Sequence, residues 1–201
     1  MKFNWNESWL FAKDKTLDKK DWEAVNLPHS WNAKDGQDGG NDYHRGTCYY
    51  TKKLALSDCK GAEEIYIEFE GANSSANVYV NGKLAVHHDG GYSTFRANIT
   101  ELLEEENEIL VEVDNAANDR VYPQMADFTF YGGIYRDVNI ICVPKAHFDL
   151  DYYGGPGITV TPVVEGANAN VEAKSYFTGL SGNETVTYVI KDGDAVIAEA
   201  T

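Results

Sequence analysis

The feature that most constrains this chain is an apolar/polar alternation of period two, broken at intervals by dipeptides that favour tight reversals. Ile65, Ile67 and Phe69 fall on one side of the stretch 65–70, and mostly polar residues take the other. Ile109, Val111 and Val113 alternate with Leu110, Glu112 and Asp114 in the same way. Successive side chains of an extended strand point to opposite faces, so these stretches mark half-buried β-strands. Asn81-Gly82 separates the run 75–80 from 83–86, and Asp192-Gly193 separates 188–190 from 195–197. Both dipeptides tolerate positive φ and are strong hairpin signals. Helix-period stretches are scarce, and 99–103 suits only one short turn capped by Thr100. The chain is expected to be all-β.

A boundary is expected near Pro144-Lys145, giving domains 1–145 and 146–201. Before it, strands are joined by long loops, chiefly 32–46 and 115–133; after it come short strands with tight turns. The second portion has only 56 residues. A complete immunoglobulin-like sandwich takes about 100 residues and seven strands. The portion is therefore expected to be an incomplete sandwich whose last strands present open edges that favour pairing.

Charge narrows the partners. Lys plus Arg number 17 against 32 Asp plus Glu, a formal net charge of −15. Such a surface repels phosphate backbones and anionic membranes, so neither nucleic acid nor membrane is an expected partner, and a neutral ligand suits it better. The start of the chain lacks the apolar stretch of a signal peptide, and no stretch of about 18 apolar residues exists to span a bilayer. Cys48, Cys59 and Cys142 are odd in number and scattered, without metal-ligand spacing; reduced thiols in the cytoplasm fit best. No P-loop, dinucleotide fingerprint or Gly-x-Ser-x-Gly elbow is present, so no cofactor is expected. His87-His88 is a poor joint metal site, because adjacent strand residues point to opposite faces. The run 104–106 of three Glu reads as a solvated loop, with no cleft to raise one carboxyl's pKa.

Several segments, in order, resemble one family. Trp22, Val25, Leu27-Pro28-His29 and Trp31 are similar to the opening of family 2 glycoside hydrolases, and Tyr49-Tyr50-Thr51-Lys52-Lys53 to its next strand. Phe69-Glu70-Gly71, Val78-Tyr79-Val80-Asn81-Gly82 and Gly90-Gly91-Tyr92-Ser93-Thr94-Phe95 resemble its middle portion. Asn107 with Val113-Asp114-Asn115 follows, and then Gly132-Gly133-Ile134-Tyr135-Arg136-Asp137-Val138. The resemblance covers about residues 3–145 well and the rest more loosely. It implies a jelly-roll (galactose-binding-like) β-sandwich followed by a partial immunoglobulin-like β-sandwich. The family's third domain is a TIM barrel whose two Glu residues perform retaining hydrolysis, with carboxyls roughly 5–5.5 Å apart. A barrel of that kind takes about 250 residues of alternating strands and helices. It does not fit in this chain, so no catalytic residue is assigned and the chain alone is expected to be inactive.

The resemblance points to one substrate-facing residue, and the glycine-rich, polar make-up of the loop 35–46 to two more. An Asp shortly before the Gly-Ile-Tyr-Arg-Asp segment reaches the barrel mouth in β-galactosidases of the family; counting back from Gly133 places Asp127 at the similar position. A carboxylate accepts hydrogen bonds from two sugar hydroxyls, which suits a neutral β-galactoside. Asn41 and Asp42, in the glycine-rich loop 35–46, are the second assignment. Each has a plainer reading as a solvated loop residue. That loop lacks the ligand spacing and closing Glu of a calcium loop, so no metal is assigned. Arg136-Asp137 suits a structural ion pair or hydrogen-bond network, and Tyr92 with Phe95 suits packing more than a sugar platform. The expected role is the non-catalytic front portion of a β-galactosidase-like enzyme, buttressing the barrel, with homo-oligomers common in the family. The alternatives are β-glucuronidase or β-mannosidase specificity, a freestanding carbohydrate-binding module, or a ligand-free structural sandwich.

Overall fold

The alternating stretches become strands of two sheets that close on one apolar core. A computed structural model describes residues 1–33, 43–122 and 128–201, and it divides into two compact units, Met1–Pro144 and Lys145–Thr201.

Among its described residues the first unit holds twelve strands: β1 (Lys2–Asn4), β2 (Trp9–Ala12), β3 (Glu23–Val25), β4 (Thr47–Ala55), β5 (Glu64–Phe69), β6 (Ala72–Asn73), β7 (Ser75–Val80), β8 (Lys83–Asp89), β9 (Phe95–Asn98), β10 (Glu106–Asp114), β11 (Gly133–Ile134) and β12 (Val138–Val143). One sheet runs β1-β12-β5-β9, the other β3-β2-β4-β10-β7-β8, and β6 pairs with β11. All pairings are antiparallel. This is the expected β-sandwich. The inward set of each strand fills the space between sheets: Ile65, Ile67 and Phe69 from β5, Val78 and Val80 from β7, Ile109, Val111 and Val113 from β10. Trp9 and Tyr50 are fully buried among them. Burying each such side chain contributes about 1.5–3 kcal/mol.

Asn81 and Gly82 both take positive φ, 51° and 77°, and make the β7–β8 hairpin. The Asn81 carboxamide also donates to the Leu102 carbonyl and accepts from the Glu108 N–H, so the turn is tied to β10. Thr100 behaves differently from its expected capping role. Its turn spans Thr100–Leu102 without a side-chain cap, and its hydroxyl accepts the Ile65 N–H at 2.9 Å instead. The β5 alternation also misplaces Glu68, which is 1% exposed. Lys2 Nζ at 2.5 Å, Arg96 Nε at 2.6 Å and Asn139 Nδ2 at 3.0 Å surround its carboxylate. Burial pushes the Glu68 carboxyl up, but the Lys2 and Arg96 hydrogen bonds and charges outweigh it and hold the pKa below its ordinary value.

The second unit has β13 (His147–Phe148), β14 (Ile158–Glu165), β15 (Asn168–Ser175), β16 (Phe177–Thr178), β17 (Tyr188–Asp192) and β18 (Ala195–Ala200). They pair as β13–β16, β14–β15 and β17–β18. Gly193, at φ 56°, turns the last hairpin. Phe148 and Phe177 meet at 4.7 Å, and Tyr152 stacks on Tyr176 at 4.0 Å.

Candidate functional site

Both long loops of the first unit leave and re-enter the sandwich at one end, and their roots are joined by two buried amides. Asn32 and Asn115 are 0% and 1% exposed. Asn115 Nδ2 donates to Asn32 Oδ1 at 3.1 Å and to the Phe130 carbonyl at 2.9 Å. Asn32 Oδ1 also accepts the Gly132 N–H at 2.7 Å, and Asn32 Nδ2 donates to the His44 carbonyl at 2.9 Å. Asn115 Oδ1 accepts the Gly46 N–H at 2.9 Å. A carboxamide offers two donors and an acceptor with two lone pairs, so this pair satisfies four backbone groups that burial would otherwise leave unpaired.

Neighbouring residues stiffen the joint. Arg45 Nε donates to the Asn115 carbonyl at 2.8 Å, and its guanidinium lies 5.0 Å from the Phe130 ring centre. The Phe130 N–H donates to the Tyr43 hydroxyl, and Asn73 Nδ2 donates to the Tyr131 carbonyl at 2.7 Å. Ser30 Oγ donates to the Gly132 carbonyl, and Trp31 Nε1 to the His44 carbonyl. Gly132 lies so close to the Trp31 ring that a Cβ there would run into it. Gly133 has φ 134°, with the His29 carbonyl where a Cβ would sit. Only glycine meets both demands.

The sequence-assigned residues Asp127, Asn41 and Asp42 lie outside the described residues. What the structure brings together is the roots that carry them. Asn32 and Arg45 were missed by sequence reasoning, and Asn115 was read only as part of a family segment. Nothing in a single sequence separates a buried loop amide from a solvated one. The crevice beside this joint is lined by Arg45, Asn73, Asn115, Tyr122 and Phe130 and encloses about 10 Å³. That is room for one water and not for a sugar ring. Among the described residues of this crevice no two carboxyls face each other, so the arrangement positions loops and does not itself transfer protons.

Phe95 is core, stacked on Phe69 at 5.0 Å and on His88 at 4.2 Å, whereas Tyr92 is exposed. Asp137 Oδ1 accepts from Asn6 Nδ2 at 2.8 Å, and Arg136 Nη1 donates to the Tyr92 carbonyl at 3.0 Å; both are structural. His29 meets the Tyr50 hydroxyl at 2.8 Å, and burial lowers its pKa. His87 and His88 engage different partners, Asn77 and Asp89 for one, Gly90 and Ser93 for the other. Burial pushes the Cys48 and Cys59 thiols up to about 12, away from reactive thiolate.

Comparison with known proteins bears on this geometry. A sequence profile described as glycosyl hydrolases family 2, sugar binding domain, matches residues 37–144. A putative beta-glucuronidase of Formosa agariphila is 40% identical over 154 residues, 73% of this chain and 19% of the relative. The solved FMN-binding beta-glucuronidase from Facaelibacterium prausnitzii L2-6 superimposes with a TM-score of 0.90 at 44% identity, over 100% of this chain and 31% of that one. A putative beta-galactosidase from Bacteroides fragilis gives a TM-score of 0.87 at 31% identity, over 100% of this chain and 32% of its own. The chain thus spans about a fifth of that curated relative and about a third of those two solved chains.

Proposed function

This chain belongs to glycoside hydrolase family 2 through its sugar binding domain, and on that premise we propose that it is the non-catalytic front portion of a retaining β-glycosidase. In this reading a barrel outside these 201 residues supplies the acid/base and nucleophile carboxyls. The sandwich buttresses that barrel and lends it Asp127, Asn41 and Asp42, whose oxygen and amide groups suit sugar hydroxyls. The observation that carries the reading is the Asn32–Asn115 joint. It fixes the bases of both loops to one rigid end of the sandwich, and sites held on rigid support keep the geometry that catalysis needs. The three buried free thiols favour a reducing compartment such as the cytoplasm.

The substrate reading is a β-galactoside, from the segment Asp127-Phe128-Thr129-Phe130-Tyr131-Gly132-Gly133. A second reading, a β-glucuronide, is favoured by the names of the 44% and 40% identical proteins. Grafting residues 1–201 in place of the corresponding region of the Facaelibacterium and Bacteroides fragilis enzymes tests both. The host whose hydrolysis of a nitrophenyl glycoside the graft preserves identifies the class. In that graft Asp127→Ala is expected to lower kcat/KM by about tenfold or more, the cost of a lost hydrogen bond to a charged group. A folded graft in which Asp127→Ala and Asn41→Ala both leave kcat/KM unchanged sinks the loop-lending role.

A further inference from the structure

Strand β4 turns a lysine toward the core. Cys48, Tyr50 and Leu54, at alternate positions of β4, are core residues, and Lys52 shares their face. Its register partner on β10 is the fully buried Ile109. A long apolar stem lets such a residue lie along the core and carry its amine outward. The Lys52 amine ends at the segment joining β1 to β2. Its Nζ lies 4.3 Å from the Trp5 ring centre and 5.9 Å from that of Trp9, and it donates to the Trp5 carbonyl at 3.0 Å. The same carbonyl accepts Trp9 Nε1 at 2.9 Å, and the two indoles meet edge to face at 5.0 Å. The Trp5 N–H donates to the Val138 carbonyl at 2.8 Å, so the seat of the amine is anchored to both sheets.

This amine differs from its neighbours. Lys2, Lys15, Lys19, Lys20 and Lys174 each pair with a carboxylate, whereas among the described residues Lys52 has none within ion-pair distance. Lys53, the next residue, is exposed, and Lys52 is half-buried. Ring faces and one carbonyl hold a cation less firmly than water and a carboxylate do. Burial pushes the Lys52 ammonium down to about 8, against the opposing charges of Glu7 and Asp58. Near neutral pH a share of the side chain is therefore the free amine, the form that attacks carbonyl carbon.

The seat selects among the products such an amine can form. A carbamate would set an anion against the negative faces of the indoles and the Trp5 carbonyl. A neutral imine has no N–H left for that carbonyl. An amide carries no charge and keeps one N–H, so the Trp5 carbonyl retains its donor. Glu7 and Asp58, whose charges reach Lys52, disfavour an anionic acyl donor. We propose that Lys52, seated between Trp5, Trp9 and the Trp5 carbonyl, is an acylation site for small uncharged thioesters. Its Nζ attacks the thioester carbonyl carbon, the N–C bond forms and the C–S bond breaks. The sulfur leaves with the electron pair and takes up, through water, the proton that Nζ sheds. The site is separate from the glycosidase reading, and inactive grafts would leave it standing.

The test treats the 201-residue chain with limiting S-phenyl thioacetate at about pH 7.5 and maps acetylated peptides by mass spectrometry over time. Exposed Lys53 is the internal reference. Lys52 should be acetylated about tenfold faster than Lys53. Its free-amine share is about a hundredfold larger than that of an ordinary lysine, and the weaker basicity of the nitrogen takes part of that back. The ratio should fall to about one or below near pH 10.5, where both amines are free, and to about one in urea. Tryptophan emission should change in step with Lys52 acetylation, as the indoles lose their cation. Lys52→Arg, which keeps a cation there, should abolish that change. Equal rates at Lys52 and Lys53 in the folded chain overturn the proposal, as does a preference for Lys52 that survives urea. A larger Lys52 to Lys53 ratio with acetyl phosphate than with the thioester overturns the uncharged donor. Mapping on the unaltered chain decides the outcome even where Lys52→Arg folds poorly.

Discussion

The two units use the same local vocabulary and reach different ends. Both are antiparallel strands joined at Gly-containing turns. In Met1–Pro144, two sheets face each other, and Ile67, Ile109 and Ile140 are fully buried between them. In Lys145–Thr201, the strands pair only two by two, and Ile197 is 63% and Val164 71% exposed. Period-two patterning therefore makes strands in both units, but a core requires a second apolar face opposite the first. A two-stranded hairpin alone is marginal in water.

That contrast can be broken, most forcefully in the first core. Phe69→Ala should cost about 3–5 kcal/mol in denaturant unfolding, because the void beneath Phe95 cannot collapse against two sheets. Asn115→Leu removes the partner of Asn32, the Gly46 N–H and the Phe130 carbonyl. It should cost about 2–3 kcal/mol and, in the graft, lower activity without moving residues at the far end of the sandwich. Glu68→Gln leaves Lys2 and Arg96 facing a neutral amide and should cost about 1–2 kcal/mol at pH 7. Because the folded-state pKa of Glu68 lies below its ordinary 4.5, its contribution is complete above that pH and fades as pH falls through the lower folded value. Glu68→Gln should accordingly flatten stability against pH below about 4.5 and leave its slope between pH 6 and 8 alone, which acid titration of urea midpoints checks. Ile197→Ser sharpens the contrast from the other side: on an exposed hairpin face it should change stability by less than about 0.5 kcal/mol. A cost as large as that of Phe69→Ala would mean that the second unit buries Ile197 in solution.

The strands were readable because alternation and turn dipeptides are local: β5, β7, β10 and the Asn81-Gly82 hairpin all follow from neighbours in sequence. Glu68 was not, because the groups that draw it inward sit 28 and 66 residues away, at Arg96 and Lys2. The same holds for Asn32 and Asn115, separated by 83 residues. A loop amide carries no local mark of burial, and only the meeting of two loop roots turns it into a joint. Thr100 shows the opposite limit, a correct turn with the wrong hydrogen bond, since a hydroxyl beside a helix start and one beside a strand N–H look alike in sequence. Asp127 came from family resemblance, and Asn41 and Asp42 from the glycine-rich, polar character of the loop 35–46.

The clasp at the loop bases is made of amides. Neither side chain of the pair gains or loses a proton between acid and alkali, and dissolved salt has no charge there to screen. The bases of the two loops are thus held by amide contacts that neither acidity nor dissolved salt alters.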